Sequence, residues 1–228
     1  MFWQEDEDKT LPFQAPDNVL DVSFAIRCKR LPLDHHWALY QAIVKALPWF
    51  DEDVVSGVHS IHVAESGNGW LRPEDDDAYL IPSRRTRLNL RIPKRRIEPV
   101  KVLSGQCLSV AYQALQLGDM KEKPFTNAAV LFARYVISAE AESEEDFLQR
   151  MAREIRELTD VKVKKMMCGK SSTLSTPAGP VVTRHLMIAD LENEPSIRLQ
   201  QYGLGAGRKF GCGLLLPHKS IKTLKPTE

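Results

Sequence analysis

Apolar and polar residues alternate from Val19 to Cys28. Leu20, Val22, Phe24 and Ile26 fall on one side, and Asp21, Ser23, Ala25 and Arg27 on the other, which predicts a strand with one buried face. After Leu31-Pro-Leu-Asp34 the period changes. Trp37, Leu39, Tyr40, Ile43, Val44 and Leu47 recur at helical spacing, with Asp34 as expected N-cap, His35 and His36 in the first turn and Pro48 as the stop. Val58 to Ala64 reads as a second strand, with His59 and Ile61 facing opposite to His62. A loop follows, Ser66-Gly-Asn-Gly-Trp70 and the acidic Glu74 to Asp77. In Thr86 to Ile92, Leu88, Leu90 and Ile92 point one way and Arg87, Asn89 and Arg91 the other. A short helix over 97–103 and a strand within Cys107 to Leu117 close this unit.

The same order then recurs. Ala128 to Ser138 is strand-like, and Glu144 to Leu158 is a helix with Phe147, Leu148, Met151, Ile155 and Leu158 on one face. Val161 to Met167 alternates Val161 and Val163 with Lys162 and Lys164. Val181 to Ala189 is a strand carrying Arg184 and His185, Pro195 to Tyr202 is a short helix, and Gly213 to Leu216 is a last strand. Strand, helix, strand, strand, helix, strand thus occurs twice, in element order rather than in sequence identity. The expected fold class is α+β, two tandem ferredoxin-like (RRM-like, βαββαβ) domains. The expected organisation is a leader over 1–17, an N-terminal domain over 18–124 and a C-terminal domain over 125–228.

Composition narrows the class. No apolar run approaches the roughly 20 residues of a membrane span. The acidic start, Met1-Phe-Trp-Gln-Glu-Asp-Glu-Asp, lacks a cationic signal-peptide region. Cys28, Cys107, Cys168 and Cys212 form no C-x-x-C pair, so reduced thiols in a cytoplasm are expected rather than a zinc ribbon. Net charge is only +1, but the charges segregate. Acid gathers at 5–8, 74–77 and 140–146, and base at Arg84 to Arg96, Lys162 to Lys170 and Arg208 to Lys225. Such segregation focuses positive potential on part of a near-neutral surface. The strand face of Arg87 and Arg91, flanked by Arg84, Arg85, Lys94, Arg95 and Arg96 with no acid among them, is therefore a candidate RNA contact.

Candidate chemistry is concentrated in two places. Gly203-Leu-Gly-Ala-Gly-Arg-Lys-Phe-Gly-Cys-Gly213 holds five of the 12 glycines around Arg208 and Lys209. Such a loop is read either as a surface turn or as a cradle whose bare N–H groups and cations hold phosphate. It lacks the Gly-Lys-Ser/Thr ending of a Walker loop and does not run from strand into helix as a dinucleotide fingerprint does. His35-His36 is the second place. A helix N-terminus disfavours imidazolium, and a neutral imidazole suits a general base acting on an RNA 2′-OH, a reaction that needs no metal. The same residues also read as polar surface. A metal-dependent phosphodiesterase using His59, His62 and His185 is a weaker alternative, because His59 and His62 point to opposite faces and no carboxylate completes a set. Phe132, Tyr135 and Trp37 read as core, whereas Trp70 suits base stacking.

Leu-Pro-Leu-Asp-His35, Ser66-Gly-Asn-Gly-Trp70, Leu131-Phe-Ala-Arg-Tyr135, Lys165-Met-Met-Cys-Gly-Lys170, Arg198-Leu-Gln-Gln-Tyr-Gly-Leu-Gly205 and Gly207-Arg-Lys-Phe-Gly-Cys-Gly213 together resemble the CRISPR repeat-processing endoribonucleases of the RAMP superfamily, in their MYXAN subtype, from about Val19 to Lys219. The resemblance implies metal-independent cleavage of precursor transcripts within each repeat, with no cofactor. The 2′-OH attacks and leaves a 2′,3′-cyclic phosphate and a 5′-OH. It implies a histidine of the first helix, His35 at the matching Asp-His position or its neighbour His36, as general acid or base. The family's helper residues vary and none carries over, so Lys164, Lys165 and Lys170 stand as the cations to test. It carries the glycine loop over as RNA-binding, through Gly203, Gly205, Gly207, Arg208, Lys209 and Gly211. Lys162, Lys170 and Arg184 join the Arg84 to Arg96 segment as expected RNA contacts. The expected partners are repeat RNA and other subunits of a CRISPR effector complex, with no membrane and no direct DNA contact. A non-catalytic guide-holding subunit of the same superfamily is the alternative.

Overall fold

A computed structural model describes residues 18–63 and 78–218. The expected leader, Trp70, the acidic 74–77 segment and the last ten residues lie outside the described residues. The elements are β1 (Val19–Arg27), β2 (Leu31–Pro32), α1 (His36–Ala46), α2 (Trp49–Glu52), β3 (Gly57–Val58), β4 (Tyr79–Leu80), β5 (Arg87–Pro93), α3 (Ile97–Val100, between two 3-10 turns), β6 (Cys107–Val110), β7 (Gln113–Lys123), β8 (Val130–Ile137), α4 (Glu144–Thr159), β9 (Lys165–Thr176), β10 (Gly179–Ala189), α5 (Asn193–Tyr202) and β11 (Leu216–Pro217). The fold is α+β with two main antiparallel sheets, ordered β3-β5-β1-β7-β6 and β11-β8-β10-β9, and a small β2-β4 pair.

Each sheet buries one face against its own helices, and that face follows from the alternation. Leu20, Val22, Phe24 and Ile26 of β1 join Leu88, Leu90 and Ile92 of β5 and Leu39, Ile43 and Leu47 around α1 in one core. Leu131, Ala133, Leu186 and Ile188 meet Phe147, Met151 and Ile155 of α4 in the other. Ser143 caps α4 by accepting from the Asp146 N–H at 3.1 Å.

Four expectations need correction. The 107–117 segment holds parts of two strands, because β6 turns back into β7 at Ala111 and Tyr112. Both residues have left-handed backbones (φ 46 and 63), and with no glycine there the turn had no sequence signature. The strand expected over Val58 to Ala64 is reduced to Gly57–Val58. Beyond it the Ile61 N–H donates to the His35 ring instead of to a neighbouring strand. The Val161 to Met167 strand starts only at Lys165 and runs to Thr176, so Lys162 and Lys164 precede it and their alternation marks no sheet face. Finally, 213–215 is buried loop, and the last strand is Leu216–Pro217.

Candidate nucleic-acid interface and acid–base site

The two histidines at the start of α1 are neighbours with different environments. Asp34 does not cap the helix. His35 occupies the N-cap position without a side-chain cap, and His36 is the first helical residue. The His35 ring is 0% exposed. Its Nδ1 lies 3.0 Å from the Pro32 carbonyl and 3.1 Å from that of Leu33, while Nε2 accepts the Ile61 N–H at 3.0 Å. This pattern admits one tautomer, Nδ1–H, and leaves no lone pair for chemistry. Burial, and then the neighbouring His36, push its pKa down to about 3. His35 is a neutral brace between α1 and the segment after β3.

His36 is also buried, at 3% exposure, but its hydrogen bonding is half complete. Nδ1 faces Asp34 Oδ1 at 3.1 Å, and among the described residues Nε2 has no hydrogen-bond partner. Asp34 in turn accepts the Ser175 N–H on Oδ2 at 2.6 Å, a bond from β9 across to the helix start. Burial would raise the Asp34 carboxyl, but the bonds from His36 and Ser175 prevail and hold it below the usual carboxylate range. The His36 ring stacks on His35 (4.9 Å between centroids) and meets Tyr135 of β8 edge-on at 4.7 Å. Gly211 of the glycine-rich loop covers it, since a Cβ there would lie 3.6 Å from His36 Cδ2. Tyr135, expected as core, is indeed buried, and its ring faces the site. His185 of β10 stands next in line, 6.5 Å from Tyr135 and 5.4 Å from Phe132.

The glycine-rich loop connects α5 to β11, as expected, but it is not a row of bare N–H groups. The N–H of Gly203 goes to Leu199 O, that of Leu204 to Gly213 O, that of Cys212 to Gly207 O and that of Gly213 to Tyr135 O. The Gly205 N–H donates to Glu154 Oε2 at 2.9 Å, so a carboxylate already sits where a phosphate oxygen was expected. The glycines serve the close crossing of the loop's two ends. Gly203 (φ 65) and Gly213 (φ 69) are both left-handed, and a Cβ on Gly213 would fall onto the Leu204 carbonyl. Arg208 and Lys209 point back into the first unit. Arg208 donates to Val55 O at 3.2 Å, and the Lys209 ammonium donates to the Phe50 and Asp53 carbonyls. Burial is the main cause that lowers both of their pKa values. Here these cations staple the loop to the N-terminal half.

The expected basic face of β5 is corrected as well. Arg91 is 0% exposed and bonds Asp21 through Nε (2.9 Å) and Nη2 (3.2 Å), and the Leu215 carbonyl at 3.1 Å. Asp21, on the neighbouring strand β1, supplies the acid that the linear stretch lacks. His59 lies 3.2 Å from the same carboxylate. Arg184 is half-buried against Ser138 Oγ and the Glu142 carbonyl. Arg84, Arg85, Arg87, Lys94, Lys162, Lys164, Lys165 and Lys170 are exposed. Arg95 pairs with Asp53 at 2.7 Å, Arg96 lies over the Trp49 ring, and Lys165 pairs with Asp190 at 2.8 Å. Among the described residues, no group of three His, Cys, Asp or Glu side chains is placed to hold a metal ion. His59 serves the Asp21 pair, and His185 lines up with Tyr135 and Phe132 on the other sheet. Among the described residues, no helix is long and apolar enough to cross a membrane.

Comparisons with known proteins point one way. The family model described as Cas6 Crispr matches residues 20–220. The CRISPR-associated endonuclease Cas6 of Myxococcus xanthus is 28% identical over 198 residues, covering 87% of this chain and 81% of the relative. A Cas6-related protein from Pyrococcus furiosus superposes with a TM-score of 0.59 at 13% identity, covering 89% of this chain and all of the other. Thermus thermophilus Cse3, solved bound to an RNA representing a pre-cleavage complex, gives 0.50 at 13% identity over 87% and 98% of the two chains. These two structures share the fold. With the family model spanning most of its length, the chain belongs to the Cas6 family of CRISPR-associated endoribonucleases.

Proposed function

We propose that the protein binds CRISPR repeat RNA and cleaves the precursor transcript without a metal ion, by attack of a 2′-OH that leaves 2′,3′-cyclic phosphate and 5′-OH ends. The observation that carries this reading is His36, held by Asp34 through Nδ1 while its buried Nε2 has no partner among the described residues. A histidine so oriented presents one nitrogen for proton transfer to or from the reacting oxygens. His35, with both nitrogens engaged, does not offer this. Lys170, Lys164 and Lys165 are the cations that would steady the transition-state charge. Arg84, Arg85, Arg87, Lys94, Arg95, Arg96 and Lys162 would follow the RNA backbone. The strand orders support two tandem ferredoxin-like units that divide in the segment between β7 and β8, and a cytoplasmic protein is in keeping with the family.

Gly211 lies over His36, so RNA would reach Nε2 only once the glycine-rich loop shifts. That same burial favours the second reading, a guide-holding subunit that does not cleave. The two are separated by incubating excess protein with the repeat RNA of its own locus in EDTA. The first reading expects cleavage that a 2′-deoxy substitution at the cut site abolishes. It expects His36→Ala to lower cleavage roughly 100- to 10,000-fold with RNA binding retained. Tight binding without cleavage would favour the second reading, and cleavage that EDTA stops would refute the metal-free mechanism.

A further inference from the structure

The second sheet carries a feature that the acid–base site does not use. On the face turned away from α4 and α5, Met167 of β9 pairs with Met187 of β10, Met187 with Phe132 of β8, and Phe132 with Leu216 of β11. The four side chains form an in-register apolar row across the whole sheet. Their sequence neighbours Met166, Leu186, Leu131, Ile188 and Leu215 point into the helical core, which fixes the orientation of the row. Met167 is 59% exposed and Leu216 39%, while Phe132 and Met187 are half-buried. Such a row gains only modest stability from its cross-strand contacts, and it leaves Met167 and Leu216 largely in water.

What surrounds the row is cationic and aromatic. The Arg134 guanidinium lies over the Phe132 ring at 5.5 Å. His185 and His218 meet the same ring edge-on at 5.4 and 5.9 Å. Lys165 and Lys170 lie on β9 beside Met167, and the Asp190 carboxylate there is ion-paired to Lys165. The row is continuous with the candidate site, since the rings of Phe132, His185, Tyr135 and His36 form an unbroken series. Bases offer flat apolar faces and phosphates offer negative charge, and unpaired RNA presents both at once.

We propose that this open face, centred on Phe132, is a stacking platform for unpaired RNA nucleotides on one side of the reacting phosphate. The proposal rests on the reading of RNA as the substrate. Bases lie on Phe132 and the two methionines, and the backbone runs along Arg134, Lys165 and Lys170. Sequence preference on such a platform is weak, because every base has an apolar face.

The test uses the full chain and a short single-stranded RNA with one 2-aminopurine and 2′-O-methyl riboses, so that no 2′-OH can attack and cleavage plays no part. Binding to the parent protein should quench the fluorophore. Phe132→Leu, which keeps apolar volume but removes the ring, should weaken binding roughly tenfold and relieve the quench. The dependence of affinity on salt should not change, because no phosphate contact is removed. Met167→Thr, at an exposed position where folding is not at stake, should weaken binding in the same direction. Unaltered affinity and quenching in both variants would overturn the platform while leaving the ribonuclease reading intact. Retained RNA binding with loss of a co-purifying protein subunit would assign the face to a protein and overturn it too. A parent protein that binds no RNA at all would sink the substrate reading itself.

Discussion

The two main sheets share a strand order over their four matching strands, yet they treat the face away from their helices in opposite ways. On the first sheet that face carries Asp21 and Arg91, and both are buried, with the Leu215 carbonyl and the Phe125 ring against the guanidinium. On the second sheet the matching face carries Met167, Met187, Phe132 and Leu216, and this end of it is open among the described residues, whereas the other end is closed where Tyr135 and Leu174 pack with Cys212. Charge is hidden where apolar residues are usual, and apolar residues are exposed where charge is usual. Alternation along a strand assigns residues to faces, but it does not say which face will be covered. The chain after α5, together with Phe125 from the segment between β7 and β8, makes that choice by packing over the first sheet.

The largest effect should come from breaking the buried pair. Arg91→Met leaves Asp21 charged and without its main partner, which should cost about 3–5 kcal/mol in denaturant unfolding. Adding Asp21→Asn should restore much of the loss, because no buried charge is then left. If Arg91→Met alone is neutral, the charge is not buried as described, and the contrast between the sheets falls.

The next effect is one of pH. The His35 pKa falls from the ordinary value near 6.5 to about 3 in the folded state, with burial as the main cause. Above pH 6.5 the ring is neutral in both states and its contribution is complete. As the pH falls from 6.5 towards 3, the unfolded chain takes up a proton that the folded chain refuses, so stability declines through that window. His35→Gln should flatten the slope of unfolding free energy between pH 6.5 and 4.5. Asp21 has a folded-state pKa well below its ordinary value, because Arg91 and His59 outweigh the opposing effect of burial. It adds its own loss of stability, mostly at lower pH.

The smallest of the three sharpens the account of the loop. Gly213→Ala should lower the melting temperature more than Gly105→Ala, although both glycines are left-handed (φ 69 and 76). Gly105 has open space where a Cβ would go and should lose only about 1 kcal/mol for its backbone. Gly213 must in addition move the Leu204 carbonyl. Equal shifts would mean that the loop ends do not cross tightly.

Much of the architecture was legible along the chain. The alternation of 19–28 and 86–92, the helical stripe after His36 and the amphipathic 144–158 segment each named the element and the face it buries. The five clustered glycines marked the tight loop, because no other residue fits its left-handed positions so readily. The His35-His36 pair marked the start of α1 as a candidate acid–base site. Local pattern works here because it reflects local geometry, a period of two or of 3.6 residues.

What each charged or aromatic group does was decided by partners distant in sequence. Arg91 is a buried ion pair because Asp21 stands 70 positions away on the adjacent strand. His35 is a brace and His36 a candidate acid–base group because Ile61 reaches one ring while Asp34, itself tied to Ser175, holds the other. Arg208 and Lys209 read as a phosphate cradle until the carbonyls of Phe50, Asp53 and Val55 come within reach. Local pattern carried most of the elements and their inner faces, because these depend on neighbouring residues, but it missed the β6–β7 turn, the shortness of β3 and the start of β9. Tertiary packing set which cations lie exposed and which are buried against carbonyls and carboxylates, because desolvation and hydrogen bonding depend on what packs against a group.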